Sequence, residues 1–220
     1  MNTYLDGEGG VFMEKSYTKI YTTGATVPLK IRPGHFATNH AHINYYIDVT
    51  TLKARTKEAE EVAQALYDTV IDTIVCMEGT EVIGAFLAEE LAKGGFLSTN
   101  AHKSIYVISP EFNNNSQIIF RDNLIPMIRD KHVMILMASV TTGRTLNKAV
   151  ESIQYYGGIL QGASAIFSAM DSLDGVPIKS VFGKKDLPDY TYSDYRDCPL
   201  CKAGKKIDAL VNTFGYSPMG

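Results

Sequence analysis

Residues 133–145 read VMILMASVTTGRT, and their order points to an anion site. Four apolar residues, Val133 to Leu136, predict a short buried strand. Thr141, Thr142, Gly143, Arg144 and Thr145 then make a turn rich in hydroxyls and small side chains. From Leu146 to Tyr156, apolar residues recur at 146, 149, 150 and 153, which is helical spacing. A strand, such a turn and a helix N-terminus bring backbone N–H groups together at the positive end of the helix dipole, and threonine hydroxyls add donors. A phosphate monoester is the natural ligand. A βα turn can also carry Thr and Gly for turn and capping reasons alone, so the reading depends on its strand–turn–helix context.

A second turn of this kind is Glu78-Gly79-Thr80-Glu81, between an apolar run ending at Met77 and a helical pattern starting near Val82. Gly79 permits close backbone approach to a ligand or a positive φ, or simply a tight turn. Cys198 and Cys201 form a CxxC. A structural zinc site needs four ligands. Cys76 falls on a buried strand, so the other two would have to be histidines such as His35, His40 or His42. The simpler expectation is a reduced pair at a turn, with no metal ligand assigned. His40 and His42 alternate on a β-like segment and share one side, as a metal or phosphate contact or as a surface polar pair.

The elements that must position these residues follow from periodicity. The first fifty residues read as irregular, with β-prone pieces at Ser16–Thr22 and Ile43–Val49. Thr56 to Val70 predicts a helix whose acids cluster early and whose Ala59, Val62, Ala63, Leu66 and Val70 share a face. Ile71–Met77 predicts a buried strand, and Val82–Lys93 a helix stopped by Gly94-Gly95. Strands are expected at Ser104–Ser109, Ile159–Met170 and Pro177–Phe182. Pro126 limits Leu124–Arg129 to a short helix, and Asn113–Asn115 reads as a loop. Strands alternating with helices give an α/β fold with a mostly parallel sheet and helices on both faces. Ligands then bind beyond the carboxyl ends of the strands, where both turns sit.

The chain has 220 residues and a net charge of −3. That length builds one substantial core, or at most two small ones. The charge gives no reason to invoke nucleic acid or an anionic membrane. The acid-bearing start is not a signal peptide, and no stretch is long enough to span a bilayer. Three cysteines fit a reduced, cytoplasmic protein.

Three separated segments carry a family resemblance. Gly34-His35-Phe36 with Asn39-His40-Ala41-His42-Ile43-Asn44-Tyr45-Tyr46-Ile47-Asp48, the stretch 71–85 (IDTIVCMEGTEVIGA), and the stretch 133–145 are together similar to the type I phosphoribosyltransferases, and within them to the orotate enzymes. The tail Cys198-Pro199-Leu200-Cys201-Lys202-Ala203-Gly204 resembles the end of some orotate enzymes. The resemblance implies a single domain over 1–220. It has a five-stranded parallel core (about 53–185) and a small hood made from about 1–52 plus 186–220. It further implies a homodimer, phosphoribosyl pyrophosphate with Mg²⁺, and transfer of ribose 5-phosphate to a nucleobase through an oxocarbenium-like transition state. Thr141 to Thr145 would hold the 5′-phosphate, and Glu78, Gly79 and Thr80 would sit at the pyrophosphate. Lys30, Arg32, Phe36 and Tyr46 are the candidate substrate contacts. Lys30 and Arg32 also read as solvated surface charges, and Tyr46 as a packed hood tyrosine.

The chain departs from this family at three places. The two adjacent acids that precede the phosphate loop, and that hold the ribose hydroxyls, are Met137 and Ala138 here. Each lost transition-state contact costs roughly 2–4 kcal/mol. The segment 109–120, which in the orotate enzymes carries cations over the pyrophosphate, has no basic residue before Arg121. The N-terminal segment lacks the usual Ser-Gly pair. Two functions therefore stand open, beside a third possibility, a purely structural subunit that binds no small molecule. One is an orotate-type transferase in which Glu78 or Glu81 compensates for the acids. The other is a non-catalytic nucleotide or phosphoribosyl pyrophosphate binding protein of the same fold.

Overall fold

The computed structural model describes residues 17–66, 70–93 and 104–219. The parts of the expected elements at Ser16, 67–69 and Gly94-Gly95 lie outside the described residues.

The segment read as irregular is mostly strand. β1 (Thr18–Thr22) leads into β2 (Ala25–Ala37), in which Val27, Leu29 and Ile31 alternate inward. Pro28, Pro33 and Gly34 disguise that alternation. The ladder with the next strand shifts register between Pro33 and Phe36, a bulge that buries both His35 and Phe36. A Cβ on Gly34 would lie 2.5 Å from the Phe36 ring and 2.9 Å from the Asp208 carboxylate, so only glycine fits there. β3 (His42–Asp48) follows, then two helices, α1 (Thr50–Ala54) and α2 (Thr56–Leu66). Helix α2 buries Ala59, Val62, Ala63 and Leu66, four of the five residues expected on its inner face.

The βα alternation then takes over. β4 (Thr73–Cys76) is fully buried and feeds α3 (Glu81–Lys93). Gly84 of α3 sits where a Cβ would come within 2.5 Å of Cys76 Sγ, so helix and strand pack closely. β5 (Tyr106–Ile108) is followed by a hairpin, β6 (Glu111–Phe112) and β7 (Ile118–Ile119), with the Asn-rich turn between them. Pro126 sits in a single 3₁₀ turn, Ile125–Met127.

β8 (His132–Val140) is longer than the four apolar residues expected. It continues past Leu136 because Met137, Ser139 and Val140 pair in parallel with the next strand. The two positions that carry acids in the family are therefore strand positions. α4 (Arg144–Tyr155) buries Leu146, Ala149, Ser152 and Ile153. The chain continues through β9 (Ile159–Ser168), β10 (Ser172–Leu173), β11 (Val176–Gly183), β12 (Tyr192–Ser193), α5 (Pro199–Lys202), β13 (Ala209–Asn212) and β14 (Gly215–Pro218).

Two sheets result. The central sheet has the order β10-β11-β9-β8-β4-β5, and all its neighbours are parallel except the short antiparallel β10. The terminal sheet has the order β12-β3-β2-β13-β14, with β1 also on β2. β13 joins β2 in parallel, Ala209 beside Phe36, and so ties the tail to the N-terminal strands. Among the described residues, no helix is long and apolar enough to cross a membrane.

Candidate functional site

β8 delivers the chain to the turn that the sequence singled out. Gly143 caps α4 with φ 74°, in the left-handed region. A Cβ there would be strained and would meet Leu173 Cδ2 at 2.6 Å. The first intrahelical bond runs from Asn147 N–H to the Gly143 carbonyl. The first N–H groups of the helix have no helical partner, as at any α-helix start, and the turn lines a cavity of about 230 Å³. Thr141, Thr142, Gly143, Arg144 and Thr145 all line it. The Thr141 hydroxyl pairs at 3.1 Å with the hydroxyl of Tyr190, whose buried ring packs edge-on to Phe167. Burial pushes the Tyr190 phenol up to about 12.

Of the β4–α3 loop, Glu78 lines the cavity and Gly79 is not among its lining residues. Glu78 and Gly79 both have positive φ, 62° and 79°. For glutamate that conformation is uncommon, and such outliers cluster at functional sites. The Glu78 carboxylate accepts from the Ser139 N–H at 3.3 Å, beside the Met137–Ala138 pair. Burial raises its pKa, against the pull of Ser139 and Lys53. Lys53 Nζ donates to the Glu78 carbonyl at 2.7 Å and to the Thr213 carbonyl at 2.9 Å. This lysine joins α1, the loop and the tail. Burial lowers its pKa, while Glu78, Glu81 and Asp48 act the other way.

The terminal sheet closes the third side with Ile43, Tyr46 and Ile47 of β3, the Thr38–His40 turn, and the tail from Val211 to Thr213. The Tyr46 ring lies 5.0 Å from that of Tyr216 and 6.1 Å from Phe36. His40 lines the cavity, and its pKa is held below 6.5 first by burial, then by Arg144 and Lys148. Glu78 is the one carboxylate among the described lining residues, which also include Lys53, Arg144 and His40.

Several expected positions fall elsewhere. Thr80 is fully buried, and its hydroxyl is turned toward the carbonyls of Met77 and Leu136, at 2.9 and 3.1 Å, away from any ligand. Phe36 is buried behind Tyr46 as core. Arg32 donates to the Tyr216 hydroxyl at 3.1 Å with its guanidinium over that ring, and it does not line the cavity. Lys30 pairs in register with Asp48 on the ladder and is likewise outside the lining. Glu81 accepts from the Ser109 hydroxyl at 2.7 Å, so of the two glutamates weighed as compensating acids only Glu78 reaches the cavity. Arg121 is engaged by Glu111 through two bonds of 2.6 and 2.7 Å. Met137 and Ala138 line the cavity and are almost wholly buried. Sequence reasoning missed Lys53, Tyr190 and Thr213; each is brought in by long-range contact with no local spacing to betray it.

No protein-family model and no curated protein matches the chain. Solved structures do. A phosphoribosyltransferase from Corynebacterium diphtheriae aligns at 14% identity and TM-score 0.50, over 70% of this chain and 91% of that one. Orotate phosphoribosyltransferase from Aeropyrum pernix aligns at 16% and 0.50, over 72% and 90%. UMP synthase from Leishmania donovani aligns at 18% and 0.51, over 72% of this chain but 34% of that longer one. The parallel order β11-β9-β8-β4-β5, the strand–turn–helix after β8 and these likenesses agree: the chain has the type I phosphoribosyltransferase fold.

Proposed function

We propose that the cavity binds a ribose 5-phosphate ester and transfers the ribose 5-phosphate of phosphoribosyl pyrophosphate to a nucleobase of the orotate type. The observation that carries this is the Thr141–Thr145 turn, held open by left-handed Gly143 at a helix N-terminus and facing a cavity whose far wall is Glu78 and Lys53. The 5′-phosphate sits on the turn with Arg144 beside it. Lys53 lies 3.4 Å from where a Gly79 Cβ would stand, which puts a cation beside the loop expected at the pyrophosphate. It supplies there what the 109–120 segment does not. Tyr46 offers an aromatic face for the base.

Mg²⁺ bound through substrate phosphates needs one or two carboxylates besides. Glu78 is the residue that would hold it, and the bound ion would neutralise charge on the departing pyrophosphate. A base nitrogen gives up its proton to solvent and forms the new bond to ribose C1, the bond from C1 to the pyrophosphate oxygen breaks, and pyrophosphate leaves with the electron pair. Glu78 is also the group left to support positive charge on the sugar, because Met137 and Ala138 cannot. Positioning and electrostatics then carry the rate.

The packing of Met137 and Ala138 favours a second reading, a binding protein that senses the same ligands without turnover. Isothermal titration of phosphoribosyl pyrophosphate with Mg²⁺, orotate and orotidine 5′-monophosphate, with product analysed from the same samples, separates the readings. Product establishes the transferase. Tight binding without product makes the chain a sensor, and no binding of any phosphate ligand sinks both. A Met137→Asp/Ala138→Asp protein that gains turnover the natural chain lacks identifies the acids as the missing part. The family's homodimer belongs to the same proposal and is read by sedimentation.

A further inference from the structure

His35, His42, Cys198 and Cys201 meet on the terminal sheet, on the side chains of β2 and β3 and the turn of α5. Their ligand atoms all lie within 4.8 Å of one another. We propose that these four residues bind a structural zinc ion that clamps the tail onto the N-terminal strands.

Four of the six ligand-to-ligand separations are close to those of a tetrahedron. Zn–N bonds of about 2.0–2.1 Å and Zn–S bonds of about 2.3 Å require edges of about 3.3 Å for N···N and about 3.6 Å for N···S. Here His35 Nε2 lies 3.1 Å from His42 Nδ1 and 3.5 and 3.7 Å from the sulfurs of Cys198 and Cys201. Cys201 Sγ lies 3.3 Å from His42 Nδ1. All three cysteines of the chain are free, Cys198 and Cys201 among them.

The surroundings set the ligand atoms. His35 is fully buried, and its Nδ1 faces only carbonyls there, those of Lys205 at 2.9 Å and Lys206 at 3.2 Å. That nitrogen must donate, so Nε2 carries the lone pair and points at the other three ligands. A second ring nitrogen donating to a backbone carbonyl is how metal-bound histidines are fixed. The backbone is braced as well. His35 N–H donates to the Asp208 carboxylate at 2.7 Å, and Asp208 N–H to the His35 carbonyl at 2.7 Å. Two soft sulfurs with two imidazoles in a tetrahedron select zinc over the hard, oxygen-seeking Mg²⁺.

All four positions are taken by protein atoms, which marks a structural site with no opening for substrate. Cys198 and Cys201 stand 163 and 166 residues from His35 along the chain. Such a clip closes most of the sequence into one loop. It also holds β13 on β2, and β13 leads to Asn212 and Thr213 on the cavity wall.

The test is the metal content of the full chain, purified without a metal-affinity tag and dialysed without chelator. About one zinc per chain is expected, retained until a strong chelator is added. Substitution with Co²⁺ is expected to give the intense visible bands and the near-ultraviolet thiolate band of a tetrahedral S₂N₂ site. That spectrum is read on the natural chain, so it stands even if the variants misfold. Cys201→Ser, at the exposed ligand, is expected to lose the metal, and chelator is expected to lower the melting temperature of the natural chain and leave that of Cys201→Ser unmoved. A dialysed protein with no stoichiometric metal, an octahedral cobalt spectrum, or a mass two hydrogens light from a Cys198–Cys201 disulfide overturns the proposal. None of these readouts depends on the phosphoribosyl reading.

Discussion

Gly143→Ala tests the proposed phosphate site at the Thr141–Thr145 turn most directly. Gly143 has φ 74°, where an L side chain costs roughly 1–2 kcal/mol. The added methyl would also meet Leu173 Cδ2 at 2.6 Å and Cδ1 at 3.0 Å. Leu173 is a half-buried side chain at the short β10, and its far end can move, so the backbone cost dominates. Loss of about 1–2 kcal/mol corresponds to a fall of roughly 2–8 °C in melting temperature for a domain of this size. The turn can escape that strain by rotating Gly143 out of the left-handed region, which re-aims the N–H groups at the start of α4. Affinity for orotidine 5′-monophosphate should then fall about tenfold or more, since each 1.4 kcal/mol is a factor of ten. Calorimetric titration and thermal unfolding read the two effects separately. The double variant Gly143→Ala/Leu173→Ala decides between causes, because it removes the clash and keeps the backbone strain. Full recovery in the double variant refutes the conformational argument. Unchanged nucleotide affinity in the single variant refutes the assignment of the phosphate to this turn.

Three further outcomes follow from the same cavity. Glu78→Gln is expected to stabilise the fold at pH 7: a carboxyl whose pKa is raised by burial ionises more readily in the unfolded chain, so its charge costs stability above its folded pKa, and Gln removes that cost. The same variant should abolish any Mg²⁺ dependence of ligand binding, seen as identical titrations with and without the ion. Lys53→Met strands the Glu78 and Thr213 carbonyls, costing about 1–3 kcal/mol in denaturant unfolding. It should weaken phosphoribosyl pyrophosphate much more than orotidine 5′-monophosphate, and equal weakening of both would remove Lys53 from the pyrophosphate. His40 has a folded pKa below 6.5, so the unfolded chain takes its proton first as pH falls. Melting temperature should therefore drop as pH is lowered through 6.5, by less in His40→Gln, and parallel pH curves for the two proteins would contradict this.

What the sequence revealed was local. The strand–turn–helix around Thr141–Thr145 was legible because its pattern and its geometry share the same thirteen-odd residues, and the parallel core was legible because each βα unit repeats that logic. β2 was missed because two prolines and a bulge break the period of two. Arg32 was misplaced for another reason: it stands near the family's position, yet Tyr216 of the tail captures its guanidinium, and no spacing announces that. Lys53 is held at the cavity by the Glu78 carbonyl and by that of Thr213, 160 positions away. The cysteines and histidines were visible as residue types. Their convergence needed the β2 bulge, which turns His35 inward, and the pairing of β13 with β2, which brings the tail back.

The remaining question about the cavity is quantitative. Binding a phosphate ester requires the turn, the helix N-terminus and the nearby cations, all of which line the space. Stabilising an oxocarbenium-like sugar requires carboxylates, and there the lining offers Glu78 alone among the described residues. Two lost contacts of roughly 2–4 kcal/mol each would, if independent, remove about three to six orders of magnitude in rate. Acids that act as a unit lose less than that sum. A transferase built this way should therefore bind its substrates normally and turn over slowly, with the deficit in kcat and little of it in KM. The two readings of the site then separate on a single-turnover rate: slow product with ordinary affinity makes it an enzyme that has lost its acids, and none makes Glu78 a ligand for the bound phosphate's metal and nothing more.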